Sequence, residues 1–321
     1  MINLKIVEIP DNQILEFESL LKKVFAKYIE NFQEESQTST REWMSGITIE
    51  DAKRTILNEL TRIASHELWI GAMAMDLGAF TPFFYAFRER EMITDIMEDT
   101  CGARLTMNYI VPGGLMYDIH PNFQTKVKAF VKQFKEKVTE YEDLVTGNVI
   151  FQSRTKGVGV LTTEDAISYG CTGPVARASG VSCDMRKIAP YDAYDRVEFD
   201  EVIETAGDSF ARYIVRIKEM NQSIHIIEQV IDNIPEGEFV GKTKNVLKLN
   251  KGEFYQRVET ARGEFGVYIV SEGGTTPYRI KFRSPGFSNL SVLDHIAKGS
   301  KIGDLMASMG TLDLVIPDID R

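Results

Sequence analysis

Cysteine is scarce in this chain, and the three present, Cys101, Cys171 and Cys183, form no Cys-x-x-Cys pair. No two of them have the spacing of a zinc or iron–sulfur site, so thiolate metal chemistry is not expected, and free thiols in a reducing compartment are. Histidine is also rare: His66, His120, His225 and His295 lie far apart and none begins a His-x-x-x-His pair. Each is expected to be a hydrogen-bonded structural residue. Gly-x-Ser-x-Gly, Gly-x-Gly-x-x-Gly and a Walker-type Gly-Lys-Ser/Thr are all missing, which removes the simplest hydrolase and nucleotide-binding readings. Positive charge is in deficit, with a net charge of −10 and an isoelectric point near 5.1. That balance argues against nucleic acid as a partner and against electrostatic docking on an anionic bilayer. No run reaches the ~18 apolar residues of a membrane span, and Met1–Pro10 lacks the apolar stretch of a signal peptide.

The 321 residues, 43% hydrophobic and 26% charged, suffice for a sizeable core and one or two domains. Residues 1–45 stand apart. Phe17, Leu20, Leu21, Val24, Phe25, Tyr28 and Phe32 recur at helical steps within Glu16–Phe32, and the polar Gln33–Arg41 reads as a linker. A boundary is placed near Gly46. From Thr48 an amphipathic helix begins, with Ile56, Leu57, Leu60, Ile63 and Ala64 on one face, and it runs into an apolar segment punctuated by Gly78 and Pro82. Glu89–Ala103 continues as helix and Asn108–Pro121 reads as loop. Phe123 to Val145 marks a second long helix, ending at Thr146-Gly147-Asn148. Phe210, Ile214, Ile217, Ile224, Ile227, Ile231 and Ile234 trace a third, with Asp208 as N-cap and Pro235 and Gly237 as stops. Its stripe is read as a seam inside a bundle rather than as a dimeric coiled coil. The period then changes to two. Glu253–Glu259, Glu264–Ser271 and Tyr278–Arg283 read as a three-stranded antiparallel sheet, with Arg279, Lys281 and Arg283 on one face, either solvated or open to an acidic partner. A last helix is expected over Leu290–Met309. The fold class is mainly α with a small antiparallel sheet (α+β): a helical bundle over 46–237, then sheet, helix and tail over 250–321.

Two places carry chemistry. Residues 68–87 are apolar or small except for Asp76. A bare buried carboxylate costs several kcal/mol or takes up a proton, so such a residue is kept for a partner or for proton transfer. A helix-capping carboxylate, or one paired with a core arginine, is the plainer reading. The second place is Thr172–Lys187, where small residues accompany Arg177 and Arg186. Its glycines would let the backbone approach a cofactor, and its arginines could neutralise an anion or a cluster. The plainer reading is a surface loop with ion pairs.

Several phrases follow one order: Asn58-Glu-Leu-Thr-Arg-Ile-Ala-Ser-His66, Asp76-Leu-Gly-Ala, Thr81-Pro-Phe-Phe-Tyr-Ala-Phe-Arg-Glu-Arg-Glu91, Arg177-Ala-Ser-Gly180, Asp184-Met-Arg-Lys187, Tyr191-Asp-Ala-Tyr194, Gly263-Glu-Phe-Gly266, Pro277-Tyr-Arg279 and a terminal Asp320-Arg321. Each is weak alone. The ordered set, from about Gly46 to Arg321, resembles the D-subunit (49 kDa) family of NADH–quinone oxidoreductase, respiratory complex I. The resemblance implies a fold similar to the large subunit of nickel–iron hydrogenases, without its metal site. It also implies a peripheral place on the cytoplasmic face of a bacterial inner membrane. The partners it implies include the iron–sulfur B subunit, the C subunit and the membrane-embedded H subunit. Quinone would be the substrate, reduced in a pocket shared with the B subunit, while the iron–sulfur cluster, FMN and NADH would sit on partner chains.

Residue by residue, the resemblance gives Asp76 the place of an aspartate that orients a quinone-binding histidine. Leu68, Ala72, Val315 and Ile316 match pocket-lining positions. Thr106 stands near the cluster where many members carry histidine, and Arg177 and Arg186 are expected to face the cluster or a partner. The family's Gly-Pro-Gln-His-Pro-Ser-Thr-His-Gly loop and its headgroup-bonding tyrosine find no match in residues 1–45. Its Met-Glu-x-x-Ile-x-His-Phe-Lys helix finds none at Val240–Leu249. A truncated or rearranged gene, or a part supplied by another chain, accounts for this equally well. The leading reading is a quinone-reducing subunit with Asp76 in an apolar wall. The alternative is a non-catalytic scaffold that keeps the partner surface, and a membrane-bound hydrogenase subunit is disfavoured by the cysteine count.

Overall fold

The computed structural model describes residues 48–235, 237–241 and 248–320. The helix expected over Glu16–Phe32, and most of Val240–Leu249, lie outside these residues. Four long helices dominate: α1 (Ile49–Asp76), α2 (Thr81–Cys101), α3 (Phe123–Tyr141) and, after several short elements, α8 (Ser209–Ile231). Helix α1 starts on a capping box. The Thr48 hydroxyl accepts from the Asp51 N–H at 3.1 Å, and the Asp51 carboxylate accepts from the Thr48 N–H at 3.4 Å. Pro82 in the first turn of α2 moves that helix's start well upstream of Glu89. Between α2 and α3, strands β1 (Ile110–Val111) and β2 (Gly114–Leu115) form a small antiparallel hairpin about Pro112-Gly113, where the sequence suggested loop alone. Helix α3 continues as a π-helical turn over Glu142–Thr146 and stops at Gly147.

Short helices follow: α4 (Val149–Thr155), α5 (Thr163–Ser168), α6 (Gly173–Arg177) and α7 (Met185–Ile188). The Asp208 carboxylate then caps α8 by accepting from the Ala211 N–H at 2.7 Å. Helix α8 is buried on most sides within the bundle, packing on both α1 and α3, as an intramolecular seam requires.

The sheet is antiparallel in the order β3 (Gly252–Thr260), β4 (Gly263–Ser271), β5 (Arg279–Arg283), with Thr260 opposite Gly263 and Gly266 opposite Arg283. Arg283 is not a solvated side chain: it donates to the Glu264 and Gly170 carbonyls, tying the sheet to the loop before α6. The expected last helix is three: α9 (Pro285–Ser291), α10 (Leu293–Ala297) and α11 (Ile302–Thr311). The first break falls at Val292 and the second about Gly299, whose φ of +77° few other residues tolerate. The closing turn α12 (Ile316–Ile319) is held to α9 by the Gly286 N–H donating to Asp318.

Candidate functional site: the open end of helix α1

Helix α1 runs from an ionic core to an open apolar end. In the core, Glu59 is fully enclosed and its two oxygens serve four donors. Arg62 and Arg186 reach it by guanidinium N–H groups at 3.1–3.4 Å, and the Tyr194 and Ser223 hydroxyls donate at 2.6 Å. Burial opposes its charge, but these arginines and hydroxyls hold its carboxyl below the ordinary range. Arg186 also forks onto Asp184 at 2.7–3.2 Å. Against burial, that guanidinium together with Arg177 brings the Asp184 carboxyl down to about 2.

Arg177 in turn donates to Glu219 of α8 at 2.5 and 3.0 Å and to Glu259 of β3 at 2.8 Å. The Arg62 guanidinium donates to the Glu259 and Thr260 carbonyls, and so joins α1 to β3. His66 lies against Glu219 at 2.9 Å through Nε2, while its Nδ1 is buried without a partner. Burial lowers its pKa, so the ring is neutral and Nε2 carries the proton that Glu219 accepts.

Arg177 and Arg186 therefore face inward, 0% and 2% exposed. This corrects the expectation that they meet a partner or a cluster through an open surface. A buried guanidinium is well met where carboxylates face its fixed fork of donors, and for Arg177 and Arg186 the carboxylates of α1, α8 and β3, with Asp184 at the start of α7, supply that.

The other end of α1 is built differently. Asp76 is its last residue, and the chain then closes a Schellman motif: Ala79 N–H donates to the Ala74 carbonyl at 2.8 Å and Gly78 N–H to that of Met75 at 2.9 Å. Gly78 takes the left-handed conformation this requires, with φ +91°. One turn and a half earlier, Gly71 lets α2 approach so closely that a Cβ there would stand 3.2 Å from the Phe83 Cα.

The turn places Asp76 in solvent, which corrects the expectation of a carboxylate walled into apolar surroundings. The apolar residues of 68–87 do not all turn inward. Met75, Phe80 and Phe84 are exposed, the two phenylalanines by 61% and 66%, so the greasy surroundings are an open surface.

Leu68, Ala72 and Asp76 occur at four-residue steps and share a stripe of α1, with Leu68 exposed and Ala72 half-buried. The Trp69 indole N–H donates to the Gly310 carbonyl at 2.7 Å, which seats the end of α11 on α1. The tail departs from there. Val315 is half-buried and Ile316, 72% exposed, begins α12. No hydrogen bond or ion pair among the described residues joins Asp76 to either. Thr106 is exposed beyond α2 in a left-handed conformation, φ +51°, between the exposed Leu105 and Met107.

Sequence reasoning missed Glu59 and Glu67, the two buried glutamates of α1. A signal was present for the second: Ile56, Leu60, Ile63, Glu67, Ile70 and Ala74 are spaced by alternating steps of four and three, so Glu67 occupies a core position. Among the described residues no group of histidine, cysteine or acidic side chains could hold a metal ion, and no helix is long and apolar enough to cross a membrane.

Residues 76–250 and 242–321 match the family described as respiratory-chain NADH dehydrogenase, 49 Kd subunit. The chain belongs to this family. It is 55% identical over 268 residues to the NADH-quinone oxidoreductase C/D subunit of Bacteroides fragilis, a match that covers 84% of this chain and 51% of that one. It is 48% identical to the D 2 subunit of the same oxidoreductase from Solibacter usitatus, over 84% and 72% of the two chains. With the D subunit from Clostridium beijerinckii it shares 43% identity over 88% and 77%. The chain thus spans about half the length of the C/D relatives it matches. The 49 Kd family match starts at Asp76 itself, and the ordered phrases of the sequence fall largely inside it.

Proposed function

We propose that this chain is the quinone-site subunit of a proton-translocating NADH–quinone oxidoreductase, and that the open end of α1 is one wall of the quinone pocket. The other wall would come from the iron–sulfur B subunit, with the pocket opening toward the membrane-embedded H subunit and with the C subunit nearby. The bundle would share its fold with the large subunit of nickel–iron hydrogenases. The relatives' printed names support membership of such an oxidoreductase. One observation carries the pocket reading: Asp76 is a lone carboxylate on a surface of exposed Leu68, Met75, Phe80 and Phe84. A monomer has little reason to leave such a surface uncovered, and a partner laid over it would take Asp76 out of water.

In the covered state Asp76 would sit on a stripe with Leu68 and Ala72, with the tail residues Val315 and Ile316 completing the apolar lining. Quinone reduction consumes two electrons and two protons. The electrons would arrive singly from the partner's cluster, and a carboxylate in an apolar wall is suited to orient or pass a proton. Thr106 offers no titratable group beside the cluster, and Arg177 and Arg186 are already neutralised by their own carboxylates, so the proton-handling role falls on Asp76.

The test is Asp76→Asn in the assembled complex. Quinone reduction should fall by about 10²-fold or more, while reduction of the clusters by NADH persists. Unchanged quinone reduction and coupling would remove the role. Assembly with a cluster-bearing partner, but with no protection of the α1 end by quinone, would leave the scaffold reading standing.

A further inference from the structure

Glu67 has no part in the ionic core or in the open helix end. It lies between α1, α2 and α3, is fully buried, and neither carboxyl oxygen has a hydrogen-bond partner. From α2 it is faced by Glu89, also fully buried, and by Arg90. Glu89 is well served: the Tyr141 hydroxyl at the end of α3 donates to it at 2.8 Å, and Arg88 Nε donates at 2.5 Å. Arg90 lies over the Phe87 ring, 5.6 Å from its centroid, and its Nε is buried without a partner. No hydrogen bond or ion pair among the described residues joins it to Glu67. The buried charged groups of α8, namely Arg212, Arg216 and Glu219, engage Thr311, Trp69 and Arg177 instead, and its exposed Lys218 and Glu228 pair with Glu204 and Lys135.

We propose that Glu67 and Glu89, with the Tyr141 hydroxyl, form a buried proton-binding site between α1, α2 and α3 that carries one exchangeable proton at neutral pH. Two buried carboxyl groups face each other, and one, Glu89, is met by the Tyr141 hydroxyl and the Arg88 guanidinium. The other is met by no donor, and a carboxylate without donors in such a place is less stable than the acid. The proton therefore belongs to Glu67. Burial first, and the Glu89 charge second, push the Glu67 carboxyl well above its ordinary range, with Arg90 opposing. Tyr141 keeps its own proton because burial and both carboxyls hold the phenol up.

The site has an outlet. Arg88 is half-exposed, and its second nitrogen bridges to Glu140 on the surface at 3.0 Å, with Lys137 on the same carboxylate at 2.8 Å. A swing of Arg88 away from Glu89 would open the pair to water. The inference stands whether or not Asp76 serves a quinone, since it depends only on the α1–α2–α3 interior.

Infrared spectroscopy of the full chain, isotope-labelled at the carboxyl carbon of glutamate, tests it. At neutral pH the wild type should show the carbonyl stretch of a protonated, buried glutamic acid, shifted by the label and fading as pH rises above neutral. Glu67→Gln should abolish that band. Glu89→Gln removes the neighbouring charge and should lower the pH at which the band fades by about one unit or more. Absence of the band in the wild type, or its survival in Glu67→Gln, overturns the proposal. Should Glu67→Gln not fold, an unshifted titration in Glu89→Gln overturns the pairing.

Discussion

Helix α1 treats the same side chain in two opposite ways. Glu59 and Glu67 are eight residues apart and both are fully buried, yet Glu59 is met by two guanidinium groups and two hydroxyls while Glu67 is met by none. The first is a fixed charge inside a network that clamps α7, α8 and β3 to the bundle. The second, as proposed, is an acid between α1, α2 and α3 with no donor of its own. Burial alone does not decide the state of a carboxyl; the donors within reach do. Beyond both, Asp76 belongs to a third setting, a carboxylate in water beside apolar surface that awaits a cover.

Unpairing the ionic core puts this contrast under the greatest strain. Arg177→Ala leaves Glu219 and Glu259 buried with their strongest donor gone, and should cost about 3–5 kcal/mol of unfolding free energy. Denaturant unfolding measures this, and a loss under about 1 kcal/mol would show that the network is not holding the sheet. Arg177→Met should recover little, because what destabilises is the carboxylates left behind and not the missing volume.

The two settings also respond to pH with opposite signs. The Asp184 carboxyl, at about 2 when folded, adds stability that is complete above its unfolded value near 4 and is lost as pH falls toward 2, about 2 kcal/mol in all. Glu67 has a raised folded value. Its protonated form is fully favoured below the unfolded value near 4.5, and stability drains as pH rises toward its folded value. Stability of the wild type measured across pH should therefore carry an acid limb that Asp184→Asn flattens and a separate decline toward alkali that Glu67→Gln flattens. If both variants altered the same limb, the contrast between the settings would fail.

Much of this was legible in residues and much was not. Apolar steps of three and four gave the long helices, and alternation gave the three strands to within a residue or two, because those periods follow from the geometry of the elements. Helix ends were harder. Gly299 and the Pro112-Gly113 turn break or reverse the chain through single residues whose φ only the fold reveals. The ionic core was hidden because Glu59, Arg62, Arg177, Arg186, Glu219 and Glu259 are spread from one end of the bundle's sequence to the sheet. A charged residue in a sequence looks solvated until its partner is placed. Asp76 misled for the converse reason: apolar neighbours in sequence were read as apolar neighbours in space, and a helix end turns part of them outward.

A smaller effect is expected where α1 and α2 cross. Gly71→Val would push a branched side chain into the Phe83 backbone and should destabilise by about 1–3 kcal/mol, with the helices forced apart. A neutral outcome in denaturant unfolding would mean that the helix pair can shift, and that the tip bearing Asp76 is not held by this contact.

The smallest effect on stability should come from Asp76→Asn. The carboxylate is exposed at the negative end of the helix dipole, where its charge is mildly unfavourable, and it has no ion-pair partner among the described residues. Removing the charge should change unfolding free energy by less than about 0.5 kcal/mol, in the stabilising direction if at all. The same substitution is the one proposed to cripple quinone reduction in the assembled complex. A residue whose loss leaves the fold intact and abolishes activity is one that acts on something outside the chain. A large destabilisation by Asp76→Asn would instead make it a structural residue, and the end of α1 would lose its distinction from the core.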